Sequence, residues 1–292
     1  MEPLSPVDPM ELATIMTTDQ VRLQAEVYGE AGQRTLVINP AIGVKRRLYR
    51  PLAEYFTTQG ITTVLYNYRG MEDGLAELPA GVDLSTLAWG RLDQSAVLAW
   101  TQQQLQPAKL VLLGHSIGGQ LPGFATNIQA LDGLIHVAAQ KGDKRLWPTG
   151  GYLKLFLLWH VLIPLLARGH TFNAKVLGLG GYPWPAAAAL QWAAWGRQRE
   201  YLFNPAFGYD LRPWHQFDRP LLSWGFSDDH MAPEPAIDGL LQEFKTAHDH
   251  GHIAKHFIEP HSMGLKHIGH FGFFKPEAKA LWQTTATWIL QL

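Results

Sequence analysis

Apolar positions follow two different periods along this chain. From Val21 to Val27 they alternate: Val21, Leu23, Ala25 and Val27 fall on one face, Arg22, Gln24 and Glu26 on the other. A period of two marks a half-buried strand. Leu12 to Met16 lies just upstream across a turn at Thr18-Asp19, so the two segments predict an antiparallel hairpin. After it come short unbroken apolar runs, over Thr35–Asn39, Thr62–Tyr66, Leu110–Leu113, Leu134–Val137, Leu221–Trp224 and Ile253–Phe257. Strands buried on both faces read this way, as in a parallel sheet covered by helices. Longer amphipathic segments lie between the runs. Helices are predicted over Leu48–Gln59, stopped by Gly60; Leu84–Leu105, capped by Asp83; Ile117–Ile128; Glu234–Ala247, after Pro233; and Glu277–Leu290. Strand–helix alternation over most of the length predicts an α/β fold with a mostly parallel sheet.

The alternation fails once. No clear strand occurs between Val137 and Leu221, and six of the eleven tryptophans fall there: Trp147, Trp159, Trp184, Trp192, Trp195 and Trp214. A second helix-like piece runs from Pro185 to Arg199, and Gly and Pro cut the rest into short elements. The pattern predicts a core of residues 1–139 and 216–292, with 140–215 as a Trp-rich helical cap inserted in it. The most apolar window, Tyr152 to Ala167, holds Lys154, His160 and Pro164. It falls short of the ~20 uncharged apolar residues of a spanning helix. It also lacks the basic face of an interfacial one, so membrane contact is not expected. The first ten residues, MEPLSPVDPM, have no basic-then-apolar order of a secretory signal, which predicts a cytoplasmic protein.

Composition narrows the chemistry. The chain has 292 residues, 24 Lys+Arg against 25 Asp+Glu, and no cysteine. Balanced charge leaves no footprint for nucleic acid. Without cysteine there are no disulfides, thiolate metal sites or Cys nucleophile. Histidines 248, 250 and 252 alternate, but no H-E-x-x-H pattern accompanies them, so no metal is expected.

The chemistry centres on Leu110-Val-Leu-Leu-Gly-His-Ser-Ile-Gly-Gly119. Gly114, Ser116 and Gly118 form G-x-S-x-G directly after an apolar strand. A serine at a sharp strand-to-helix turn needs small residues two positions before and after it. The free N–H of Ile117 can then bind a developing oxyanion. This unit resembles the nucleophile elbow of the α/β-hydrolase superfamily. The resemblance implies an α/β-hydrolase fold and the order nucleophile, acid, histidine. The acid turn would be Pro220-Leu-Leu-Ser-Trp-Gly-Phe-Ser-Asp-Asp-His-Met-Ala-Pro233. Asp228 has the Gly-x-x-Asp spacing, while Asp229 fits the turn's frame without a gap and is the favoured acid. The acid left over would cap the helix near Pro233. His267-Ile-Gly-His-Phe-Gly-Phe-Phe274 resembles the histidine loop, with His270 favoured, His267 the alternate and His261 more remote. His115 is read as structural. Asn39-Pro40-Ala41 stands where many relatives have His-Gly. Pro40 has no N–H, so Ala41 or Ile42 must donate, and Ile42 is preferred. These units together resemble one serine-hydrolase branch of the superfamily.

The expected function is a serine hydrolase acting on an ester-type bond of an apolar small-molecule substrate, with Ser116, Asp229 and His270 as the triad and no cofactor. Trp159, Trp184 and Trp192 are expected to line its pocket. An acyltransferase using the same acyl-serine and a non-catalytic binding protein on this fold are the alternatives.

Overall fold

The computed structural model describes residues 11–72, 78–177 and 182–292. Its strands in chain order are β1 (Glu11–Met16), β2 (Arg22–Tyr28), β3 (Arg34–Asn39), β4 (Ile61–Tyr66), β5 (Lys109–His115), β6 (Gly133–Val137), β7 (Thr171–Phe172), β8 (Trp184–Pro185), β9 (Leu221–Phe226) and β10 (Ile253–Ile258). Eight of them form one sheet in the order β1-β2-β4-β3-β5-β6-β9-β10. β1 and β2 pair antiparallel, with Ala13 opposite Ala25 and Ile15 opposite Leu23. β2 is also antiparallel to β4, and every later pairing in the sheet is parallel. The apolar runs are buried because helices cover both faces: every position of β4, β6 and β9 is buried. β10 is the exposed edge.

Helix α1 (Arg50–Thr57) turns Leu52, Ala53 and Phe56 inward. Residues 86–105 form one helix from α2 (Thr86–Ala88), a π turn at Trp89–Gln94 and α3 (Ser95–Leu105). Its N-cap is Ser85, not Asp83; the Asp83 carboxylate accepts from the Ser85 N–H one step earlier. The helix expected over Ile117–Ile128 does not form. Three 3-10 turns stand there instead, at Ser116–Gly119, Pro122–Phe124 and Ile128–Ala130. Pro122 has no N–H for the carbonyl of Gly118, and the Asn39 amide takes that carbonyl at 3.1 Å.

Between β6 and β9 the chain leaves the sheet. A helix over 149–166 combines α4 (Thr149–Leu157), a π turn (Leu158–Leu162) and α5 (Ile163–Leu166). The π turn lies just before Pro164, where the regular ladder loses a donor. α6 (Ala186–Arg197) and α7 (Arg212–His215) follow. The short pair β7–β8 was not legible in the sequence. The segment expected as one helix over 234–247 is two, α8 (Glu234–Leu241) and α9 (Lys245–Asp249), and α10 (Lys279–Gln291) ends the chain.

Two apolar cores flank the sheet. One joins α1 and α10 to Leu36, Ile38, Val111, Leu113 and Trp224. The other joins α3 and α8 to Val37, Val64, Leu112 and Leu134, and runs on without a break into Trp159, Trp184, Trp195 and Trp214.

Candidate active site

Ser116 stands at the carboxyl end of β5 with φ of +54°, the left-handed region a side chain rarely enters. Two glycines permit it. A Cβ on Gly114 would lie 2.4 Å from the Gly119 backbone, and one on Gly118 would lie 2.3 Å from the Asn39 carbonyl oxygen. Any side chain there would push the turn off β3. Asn39 secures the junction: its amide donates to Gly118 O and to Gln94 Oε1, and its oxygen accepts from the Tyr66 hydroxyl.

The acid and histidine arrive on the loops after β9 and β10. His270 Nδ1 donates to Asp229 Oδ2 at 2.7 Å. The other oxygen of Asp229 accepts from the N–H groups of Met231 (2.8 Å) and Ala232 (3.2 Å). Ser116, Asp229 and His270 are 7%, 4% and 6% exposed. Ser116 and His270 line the same cavity, without a hydrogen bond between them in this structure. Such bonds are often long before substrate arrives.

Asp228 and His267 form a second pair outside the cavity, 2.5 Å apart. Asp228 does not cap a helix. It accepts from the backbone N–H groups of Ile268 and Gly269, both at 2.9 Å, and so pins the loop that carries His270. Burial pushes its carboxyl up, but those two N–H groups and His267 together hold it below the usual carboxylate range. The four candidate side chains thus fall into two separate pairs. His261 lies elsewhere, in the 3-10 turn at Pro260–Met263.

Tyr49 and His115 act on this site in a way the sequence did not reveal. The Tyr49 hydroxyl accepts from the Ala41 N–H at 2.9 Å and lies 2.9 Å from His115 Nδ1. His115 Nε2 lies 2.9 Å from the carbonyl oxygen of His270. A carbonyl only accepts, so Nε2 carries the proton and Nδ1 accepts from the Tyr49 hydroxyl. Burial, with the nearby charge of His270, depresses His115 far below the ordinary histidine value and keeps it neutral. One relay therefore joins the loop after β3 to the histidine loop. It also occupies the Ala41 N–H. The Ile42 N–H has no acceptor among the described residues, and the N–H of Ile117 belongs to the free first turn at Ser116–Gly119.

The cavity is about 50 Å³, with Ala41, Ile42, Ile117, Gln120, Gln140, Trp184, Trp192, Met231 and Phe271 completing its wall. Trp184 and Trp192 line this cavity. Trp159 does not: it packs behind Trp192 with ring centres 5.8 Å apart, its ring pressed on Gly196. Gln120 ties the wall together, donating to the Gln140 carbonyl and accepting from the Tyr201 hydroxyl.

Among the described residues, one group can hold a metal ion. His250 and His252 converge on Asp218 at 2.9 and 3.1 Å. It lies before β9 and β10, at the opposite end of the sheet from Ser116.

A model described as the alpha/beta hydrolase family matches residues 42–280. No curated protein sequence matches the chain. Several solved structures do. An esterase of Pyrococcus furiosus aligns with a TM-score of 0.64 at 12% identity, over 96% of this chain and 90% of that one. Est1E from Butyrivibrio proteoclasticus, solved with ferulic acid bound, aligns at 0.62 and 14%, over 96% of this chain and 98% of its own. A monoacylglycerol lipase of Paleococcus ferrophilus aligns at 0.58 and 14%, over 97% and 99%. At such identities the likeness is one of fold.

Proposed function

The chain belongs to the alpha/beta hydrolase family, and from that footing we propose that it is a serine hydrolase cleaving an ester-type acyl bond of an apolar substrate. One observation carries the reading: Ser116 at its left-handed turn shares a cavity with a His270 ring that donates to Asp229. The hydrogen bond to Asp229 puts the proton on Nδ1 and leaves Nε2 as the base.

Ser116 Oγ attacks the acyl carbonyl while Nε2 takes its proton. The carbonyl oxygen gains the negative charge and receives the N–H groups of Ile42 and Ile117. Collapse breaks the ester bond, and the alcohol leaves with the proton from His270. Water, losing a proton to the same nitrogen, then attacks the acyl-serine and releases the acid. Asp229 stabilises the imidazolium in both halves. Residues 140–215 act as the cap. Trp184 and Trp192 give the acyl group an apolar wall, and the small cavity selects short acyl chains.

Turnover of p-nitrophenyl acetate, butyrate and octanoate tests this. The shortest esters should be hydrolysed fastest, and Ser116→Ala should lose about 10³-fold or more of the rate. A Ser116→Ala variant with wild-type turnover would refute the reading.

A further inference from the structure

Outside the cavity, the most unusual surface is the outer face of helix 149–166. Leu153, Leu157, Val161 and Leu165 recur every fourth residue and so form one stripe. Phe156 and Leu166 flank it, and these six side chains are 37% to 60% exposed. The 18-residue helix has a mean hydropathy of 1.4, yet only 11% of it is buried. Single exposed leucines are ordinary; a contiguous apolar stripe of this length marks a contact surface.

Charge around the stripe is one-sided. From Lys144 to Arg199 the sequence carries seven of the chain's 24 Lys and Arg and none of its 25 Asp and Glu. Lys154 sits on the helix beside Leu153, and Arg168 and Lys175 follow its end. All three are exposed and have no ion pair among the described residues. Lys144 and Arg197 donate only to backbone carbonyls, of Gly196, Arg197 and Trp159.

We propose that helix 149–166 lies flat on an anionic lipid surface, with its leucine stripe inserted at the headgroup boundary and Lys154, Arg168 and Lys175 against the lipid charges. The sequence expectation of no membrane contact rested on the helix taken alone, which has one lysine. The cations that follow it in the chain, Arg168 and Lys175, lie outside that segment. The helix does not span, because its inner face belongs to the protein: Trp159 and Ile163 are fully buried, and Arg197 holds the Trp159 carbonyl at 3.2 Å. A second copy of the chain is a poor partner, since face-to-face stripes would bring like charges together. An anionic bilayer meets both demands at once: apolar depth for the stripe and negative charge for its border. On its inner side the same helix meets the cavity wall through one ring contact, Trp159 to Trp192 at 5.8 Å, so the cap would carry the pocket to the lipid boundary.

Vesicle flotation of the purified protein tests this, with phosphatidylcholine alone and with equal parts phosphatidylcholine and phosphatidylglycerol. The protein should float with the anionic vesicles only, and less as salt rises. Leu157→Glu with Val161→Glu, and separately Lys154→Glu with Arg168→Glu, should each weaken binding about tenfold or more. Circular dichroism and turnover of a soluble ester should stay at wild-type values in both. Three results would overturn the proposal: no flotation, flotation that survives both double variants, or a concentration-dependent dimer that Leu157→Glu with Val161→Glu disperses while vesicles remain unbound.

Discussion

Asp228 and Asp229 are neighbours in sequence that serve different histidines. Asp229 reaches into the cavity side and orients His270, whereas Asp228 holds the backbone of the loop that carries it. The distinction predicts unequal mutants. Asp229→Asn removes the acceptor that fixes the His270 tautomer and should cost about 10³–10⁴-fold in kcat. Asp228→Asn keeps one acceptor for the loop and should cost about tenfold or less, together with a lower melting temperature. Steady-state kinetics with thermal melts separates the two; equal losses would break the assignment. Tyr49→Phe tests the relay behind the site. It frees the Ala41 N–H and leaves His115 Nδ1 without a donor. A drop of about tenfold in kcat with little change in KM is expected, because in the proposed reaction the relay positions groups that act in the transition state. The sequence could offer both aspartates, because a one-residue shift satisfies either spacing rule. It could not show which carboxylate turns inward, since that depends on the Met231 and Ala232 N–H groups. Tyr49 gave no signal at all: it lies 66 residues from His115 and meets it only through the fold.

At the level of elements, the strands were legible and some helices were not. β3 to β6 and β9 are unbroken apolar runs because both faces are covered, and burial writes itself directly into composition. The segment after Ser116 has helix-compatible spacing as well, but Pro122 and the capture of the Gly118 carbonyl by Asn39 convert it to 3-10 turns. That competition is tertiary, so spacing could not reveal it. The same holds for Trp159. Its chemistry suits a pocket wall, and only the contact with Gly196 shows it to be the support behind Trp192. The support makes a prediction. A Cβ on Gly196 would fall 2.1 Å from the Trp159 ring. Gly196→Ala should cost about 1–3 kcal/mol of stability through overpacking. It should also push Trp192 into the cavity and raise KM for butyrate esters more than for acetate. Urea melts and a two-ester comparison check it, and unchanged KM for both esters would mean that Trp192 is not coupled to Trp159.

Over the whole molecule, two buried neutral histidines contribute to the response to acid. Burial alone depresses His136 from 6.5 to about 3, and neither ring nitrogen has a partner among the described residues. His115 is shifted the same way by burial and by His270. The unfolded chain binds a proton at each position near the ordinary value of 6.5, while the folded His136 stays neutral down to about 3. Between those limits the unfolded state holds more protons at these two positions, so their contribution to stability rises with pH there and levels off above the upper limit. Asp93, pushed up to about 7 by burial, acts in the opposite sense, because its folded form keeps a proton that the unfolded carboxyl loses. Each histidine should contribute a slope of about 1.4 kcal/mol per pH unit. Urea denaturation of wild type and His136→Leu at steps across that window measures one histidine's share as the difference between the two. Such acid sensitivity sits beneath an account that rests on one covalent step at Ser116. Intact-mass analysis after reaction with a fluorophosphonate tests that step most directly. Wild type should gain one adduct, located at Ser116 by peptide mapping, and a slowly hydrolysed ester should compete it away. Ser116→Ala should gain none. A wild-type protein that stays unmodified while it turns over esters, or an adduct at another residue, would contradict the account.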